Sequence, residues 1–199
     1  LSGWGIPMAT DIAFALGMVG PVHVLGTDAG PIKAEVFPEQ GTVKVQLTRA
    51  TGPDLNIPLD IDGETYVCHF VNTGVPHLVI PTPDVAAIDL PRLGRAARFH
   101  AHFAPSGTNV NFIQVLDPAR ILLRTYERGV EAETFACGTG AAASAIIAHA
   151  LGLTGPCVTL TPTGQEDLEV SLENGETFLK GPAKITFSGR LNLPILGIT

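Results

Sequence analysis

Residues 124–140 read RTYERGVEAETFACGTG and run directly into AAASAIIAHALGL over 141–153. The second stretch is a run of strong helix formers. It predicts a helix over Ala141–Leu151 and puts Cys137 at or near the first turn, behind a glycine-rich turn. Orphan N–H groups and the positive end of the helix dipole favour a thiolate there. The thiol is therefore expected below its free value of about 8.5, toward roughly 3.5–7.5, at about 1.4 kcal/mol per unit. Gly138 and Gly140 leave the backbone open to close approach, so the same N–H groups can hold a carboxylate against the sulfur. A base beside an anion pocket points to amino-acid chemistry. Glu127 and Arg128, just upstream, would by themselves most often be a solvated ion pair of little energetic worth.

Outward from this stretch the pattern is of short β-like runs cut by Gly, Pro and Asp. VHVLGTDAG, PIKAEVF, TVKVQLT, ETYVCHFVNTG and HLVIPTP predict antiparallel strands joined by turns. DVAAIDLPRLGRAARFH predicts a helix interrupted near Pro91. NVNFIQVLD and RILLRTYERG read as a hairpin, and VTLTPT, LEVSLENGETFLKG and AKITFSG as closing strands, with Asn174-Gly175 a two-residue turn. The class expected is α+β, with one helix covered by curved sheet.

Composition narrows the function. The 199 residues carry a formal charge of -7, and the 12 Lys plus Arg are scattered, so nucleic acid is not an expected partner. Hydrophobic residues make up 45% and charged residues 16%, with 22 Gly and 16 Pro, which suits strands and turns better than a helical bundle. The 3 cysteines, Cys68, Cys137 and Cys157, are odd in number and widely spaced, which argues against a disulfide framework and for a cytoplasmic location. Cys68 is expected to point into the core of a strand and Cys157 to be structural. His100 and His102 are expected on one strand face, as a surface pair without a third metal ligand.

Residues 1–20, LSGWGIPMATDIAFALGMVG, differ from the rest. They lack the basic start of a secretory signal, and Pro7 and Asp11 would be costly inside a lone membrane helix. GWGIPMATDIAFALG resembles a segment of bacterial sodium/proton antiporters, in which Thr10 and Asp11 match a broken helix near the ion site. One such segment cannot transport anything, because these sites are built from several helices. It reads as a foreign splice, with a natural buried helix of a soluble domain as the alternative.

Six motifs in order, TDAGPIKAEV (27–36), NTGVPHLV (72–79), GTNVNF (107–112), RTYERGVEAET (124–134), ACGTGA (136–141) and GPAKITFSG (181–189), make the chain from about Thr27 to Gly189 resemble the diaminopimelate epimerases. Proline racemases and phenazine-type isomerases share that fold. The resemblance implies two β-rich lobes, each around a central helix, facing each other across a cleft. It also implies cofactor-independent interconversion of LL- and meso-diaminopimelate, a precursor of lysine and peptidoglycan. One thiolate removes the α-proton and a thiol on the opposite face returns one. Cys137 matches the second-lobe cysteine. Gly138 and Thr139 match the amides under the α-carboxylate, and Asn109 and Arg128 match the residues that grip the far end of the substrate. Glu127 and His77 match a polar pair near the reacting carbon, tuning thiol protonation and holding the substrate amine. No cofactor and no metal are implied.

Where the family has a first-lobe cysteine in a CGNG-type motif, this chain has the antiporter-like piece. Val75 stands where many members have asparagine, and the loop Gly129–Glu133 is one residue longer than in some. The expected organisation is a foreign segment at 1–20, a remnant of the first lobe at 21–55, and the second lobe at 56–199, its last strand returning to the first. Activity is expected to be impaired. The expected partner is a small-molecule amino acid, with a homodimer left open and no membrane for the main domain. Two alternatives stand: a non-catalytic fragment of a misjoined reading frame, and a nucleotide-binding module carrying GTGAAASA as a GxGxxA fingerprint. The second would need a parallel βαβ unit and an acidic residue such as Glu166 or Asp167 after the next strand; the hairpin-rich surroundings are expected to preclude a parallel sheet.

Overall fold

The computed structural model describes residues 21–27 and 30–184. The antiporter-like segment and the last part of AKITFSG lie outside the described residues. Among the described residues there are twelve strands: β1 (Val22–Thr27), β2 (Gly30–Phe37), β3 (Thr42–Gln46), β4 (Thr51–Ile61), β5 (Glu64–Asn72), β6 (Pro76–Pro81), β7 (Asn109–Asp117), β8 (Arg120–Glu127), β9 (Ala132–Thr134), β10 (Cys157–Pro162), β11 (Leu168–Glu173) and β12 (Glu176–Pro182). Two α-helices accompany them, α1 (Leu90–Arg98) and α2 (Gly138–Ala150). The strands form one sheet in the order β1-β2-β3-β12-β11-β10-β8-β7-β6-β5-β4, with β9 on β8. This is the expected α+β class.

The helices explain where the sheet departs from the antiparallel expectation. β6 and β7 pair in parallel, as do β8 and β10. Parallel neighbours need a crossover, and α1 carries the first while α2 carries the second. Three other expectations are corrected. α1 is not interrupted at Pro91: Asp89 caps it by accepting the Arg92 N–H at 3.3 Å, and Pro91 sits in the first turn, where no N–H is needed. α2 starts at Gly138, so the glycine-rich turn is itself helical. β4 was not foreseen, because Gly52, Pro53 and Pro58 disguise it. It pairs with β5 through two register shifts, and Asn56, next to one of them and beside the expected lobe boundary at 55/56, has φ 58°. The Asn174-Gly175 hairpin is as expected, with φ 53° and 81°, the signs a type I′ turn requires.

Alternation along the central strands sorts side chains into two layers. Even-numbered residues, including Cys68, Leu78, Val110, Phe112 and Tyr126, pack with Leu90, Leu93 and Ala97 of α1. Odd-numbered residues, including Val71, Val79, Ile113, Ile121 and Leu123, pack on the other side with α2. Strands β10, β11 and β12 close over α2 as well, through Val158, Leu160, Val170 and Leu179. A helix so enclosed must be small and apolar on every side, and Ala141, Ala142, Ala143, Ala145, Ile147 and Ala148 are all buried. Ser144 is the polar exception, and its hydroxyl donates back to the Gly140 carbonyl at 2.7 Å.

Gly94 of α1 shows how tightly the first layer is closed. A Cβ there would lie 2.7 Å from the Tyr126 Cβ and 2.9 Å from its ring. Tyr126 is 3% exposed and its hydroxyl donates to the Glu131 carbonyl at 2.8 Å, so it has nowhere to go. In an open helix Gly→Ala would gain up to about 1 kcal/mol. Here overpacking of about 1–3 kcal/mol outweighs that gain. Urea unfolding should therefore show Gly94→Ala to be less stable than the native chain.

Candidate functional site

The odd-numbered layer also carries polar residues at one end, and these make the site. His77 opens β6, Asn109 and Asn111 open β7, and Thr125 and Glu127 close β8, which runs antiparallel to β7 and so brings its end beside their start. All five share the face covered by α2. The helix presents its N-terminus to them: a Cβ on Gly140 would meet the Asn111 Oδ1 at 2.5 Å and the Cys137 Sγ at 3.2 Å. Gly140 is glycine because amide, thiol and helix converge on it. A Cβ on Gly138 would meet Leu179 at 2.8 Å.

Cys137 is the N-cap residue of α2, with extended backbone angles and no capping hydrogen bond from its side chain. Its sulfur lies 3.5 Å from the Thr139 hydroxyl. The expectation of an acidified thiol is overturned. Burial pushes the Cys137 thiol above its ordinary value and the Glu127 carboxylate adds to this, while the Thr139 hydroxyl and the N–H groups of Gly140 and Thr139 pull down without prevailing. The helix terminus does act in the expected direction, but loss of water around the sulfur is the larger effect. Cys68 behaves as expected: it is fully buried on the α1 side, with its thiol pushed up to about 12 by burial. Cys157 is exposed at the start of β10.

Asn109 is 5% exposed, and its amide is engaged on both sides, donating to the Pro76 carbonyl at 3.0 Å and accepting the Arg128 N–H at 2.8 Å. That second bond fixes the backbone from which the Arg128 guanidinium projects. Arg128 has no carboxylate within ion-pair distance among the described residues, its one side-chain hydrogen bond being to the Ser106 carbonyl at 3.5 Å. The remaining acidic loop is held by Arg98 of α1. Its guanidinium pairs with Glu131 at 3.0 Å and donates to the Ser106 carbonyl at 3.3 Å, while the Glu131 carboxylate also accepts the Gly129 N–H at 2.9 Å. Arg124 makes a two-bond pair with Glu133, 2.8 Å each, on the far side of the same loop.

His77 is completely buried. Burial, with the nearby Arg128 charge, lowers its pKa to about 3, so the ring is neutral. The sequence reading missed the residues behind it. Asn111 donates to His77 Nδ1 at 3.1 Å and to the Leu78 carbonyl at 3.0 Å, and Thr125 donates to the Asn111 Oδ1 at 3.0 Å. Thr73 donates to the Thr139 carbonyl at 3.4 Å. The signal was present in NVNF, where two asparagines at i and i+2 lie on the buried face of an otherwise apolar strand. His100 and His102 are not on a strand: they sit in a 3₁₀ turn, where His100 accepts the His102 N–H. Glu166 and Asp167 are paired with Lys184 and Arg120. Among the described residues no group of three or more His, Cys, Asp or Glu could hold a metal, and no helix is long and apolar enough to cross a membrane.

The family model for diaminopimelate epimerase matches residues 69–186, and that for Na+/H+ antiporter 1 matches residues 1–37. Diaminopimelate epimerase of Aquifex aeolicus is 45% identical over 199 residues, covering 98% of this chain and 71% of its own length. That of Hydrogenobaculum sp. is 41% identical, with coverage of 98% and 71%. Most of residues 1–20 thus fall inside both kinds of match. Among solved structures, a probable proline racemase from Agrobacterium radiobacter superposes with TM-score 0.71 at 18% identity, covering 92% of this chain and 67% of that one. A phenazine biosynthesis protein of the PhzF family from Enterococcus faecalis gives 0.64 at 15%, covering 97% and 74%. At these identities the structures speak to fold alone.

Because the unbound Cys137 thiol is raised, alkylation by iodoacetamide should set in at a higher pH than for a free thiol, since the thiolate is the nucleophile. Glu127→Gln removes a carboxylate that opposes ionisation and should move that profile down. Thr139→Val removes a stabilising hydroxyl and should move it up.

Proposed function

The chain belongs to the diaminopimelate epimerase family, and from that premise we propose that Cys137 is one acid/base of a cofactor-independent epimerisation of diaminopimelate. The observation that carries this reading is the meeting of Cys137, Gly140 and Asn111 at the open end of α2, with Glu127 close enough to disfavour the thiolate. First-turn N–H groups at Gly138 and Thr139 suit an α-carboxylate, and the unpaired Arg128 suits the distant one, so a substrate charged at both ends would be held with its α-carbon against the sulfur. The Cys137 thiolate accepts the α-proton and becomes a thiol. The electron pair left on carbon is stabilised through the carboxylate on the helix amides, and the Cys137 thiol, its proton exchanged with solvent, returns a proton to the same face and becomes thiolate again.

A raised thiol is compatible with this chemistry. Substrate binding brings an ammonium group to the side of the sulfur that Glu127 now makes unfavourable, and an opposite charge favours the thiolate. Inversion requires a proton donor on the other face. Of the three cysteines, Cys68 is sealed in the α1 layer and Cys157 lies at the surface, so neither accompanies Cys137. We therefore expect this chain to exchange the α-proton more readily than it inverts the centre, with residues 21–55 as a first-lobe remnant and 56–199 as the second lobe.

The test is deuterium incorporation at the α-carbon in deuterated water with each diaminopimelate stereoisomer. Incorporation should occur with retention exceeding inversion and should vanish in Cys137→Ala; persistence in that variant would remove the cysteine from the mechanism. Arg128→Ala deletes a charged two-bond contact worth about 1.5–3 kcal/mol, so KM for exchange should rise roughly tenfold to a hundredfold.

A further inference from the structure

Arg128, the cation proposed to meet the far carboxylate, stands on a loop that packing does not hold. Gly129 and Val130 are exposed, and a Cβ on Gly129 would meet nothing within 4 Å. Glu131 has φ 57°, a left-handed conformation that a non-glycine residue keeps only where its surroundings compensate. The compensation is a set of hydrogen bonds. The Glu131 N–H donates to the Glu127 carbonyl at 2.8 Å, its carbonyl accepts the Tyr126 hydroxyl at 2.8 Å, and its Oε1 accepts the Gly129 N–H at 2.9 Å. That Oε1 is itself held from outside the loop, by Arg98 Nε at 3.2 Å and Nη2 at 3.0 Å.

Arg98 ends α1 and ties this loop to a second one. Its Nη1 donates to the Ser106 carbonyl at 3.3 Å, and its backbone carbonyl accepts the Thr108 N–H at 3.4 Å. A Cβ on Gly107, where φ is 66°, would collide with that Nη1 and lie 2.6 Å from the Arg98 carbonyl oxygen, so residues 106–108 lie flat against Arg98. Asn109 comes next and accepts the Arg128 N–H at 2.8 Å. The backbone at Arg128 is therefore gripped twice, directly by Asn109 and, through Glu131 and the Gly129 N–H, by Arg98. The two guanidinium groups also share one acceptor, since Arg128 Nη1 lies 3.5 Å from the Ser106 carbonyl. They are not equivalent. Arg98 is 11% exposed and neutralised by Glu131, with Nε, Nη1 and Nη2 all engaged, whereas Arg128 keeps its charge for a ligand.

We infer that Arg98 is a positioning residue: through the Glu131 carboxylate and the Ser106 carbonyl it sets where the Arg128 guanidinium stands, and so the separation between the far carboxylate of the substrate and Cys137. This rests on the proposed function and deepens it, because selection of an amino acid with a second carboxylate then depends on a residue that does not touch it. Without the tether Arg128 keeps its charge but has to be ordered by the ligand, and the free energy of that ordering is subtracted from binding. The effect therefore falls on affinity. Proton transfer at Cys137, at the other end of the substrate, is left as it is.

Arg98→Met keeps the apolar stem and removes the donors. With meso-diaminopimelate, Kd from calorimetric titration and KM for α-proton exchange should both rise about fivefold, while the rate at saturation stays within about twofold of the native chain. In an Arg128→Ala background the same substitution should change neither constant further, because a residue that acts through Arg128 has nothing left to act on. Glu131→Ala cuts the tether from its other end and should reproduce the loss, which covers the case of an Arg98 variant that does not fold. Glu131→Gln keeps an oxygen for Arg98 and for the Gly129 N–H and should bind no more weakly than the native chain. Unchanged Kd and KM, an equal loss with and without Arg128, or a lower rate at saturation with KM unaltered would overturn the inference and leave the proposed function standing, since the native chain still exchanges the α-proton. The expected pattern of Kd in a chain that exchanges no proton would strike the proposed function alone. A native chain that neither binds nor exchanges ends both.

Discussion

Everything at the site depends on the enclosure of α2. A helix walled in by sheet must have side chains small enough to let strands approach from several directions, and the run Ala141–Ala145 meets that demand. Enclosure has two consequences. It sets the first turn against the sheet, with Gly140 packed close to Asn111 of β7 and to Cys137. It also strips water from that turn, so the local electrostatics are set by burial first and by the helix terminus second.

The second organising constraint is strand parity. In β6, β7 and β8 the odd-numbered residues face α2, and the same alternation that buries Val79, Ile113 and Leu123 delivers His77, Asn109, Asn111, Thr125 and Glu127 to the end of that layer. A one-residue slip in β7 would send both asparagines to the α1 side and put Phe112 at the helix start. The apolar core therefore fixes the polar site: the register that hides the large side chains is also the one that assembles the chemistry.

Much of this was legible in the sequence. The helix beginning near Cys137 and the hairpin at Asn174 were readable because each leaves a local mark in composition or turn chemistry, whereas His77, Asn109, Glu127 and Arg128 were reached only through the family resemblance. What was not legible depends on distance across the fold. The parallel pairings of β6 with β7 and β8 with β10 follow from where α1 and α2 pack, which periodicity does not encode. β4 was hidden by its prolines and by bulges that only a partner strand makes sense of. The elevated Cys137 thiol was missed because dipole and cap are local features, whereas desolvation is the sum of everything packed around the sulfur. Asn111 was passed over since its neighbours His77 and Thr125 come from two other strands.

The raised thiol has a bearing on how such a protein ages. Peroxides attack the ionised sulfur, and susceptibility follows thiolate content and access. A half-buried Cys137 whose thiol is raised by burial offers oxidants little thiolate to react with. The first turn of α2 is thus chemically quieter than an acidified surface thiol, which would be lost more readily to sulfenic acid.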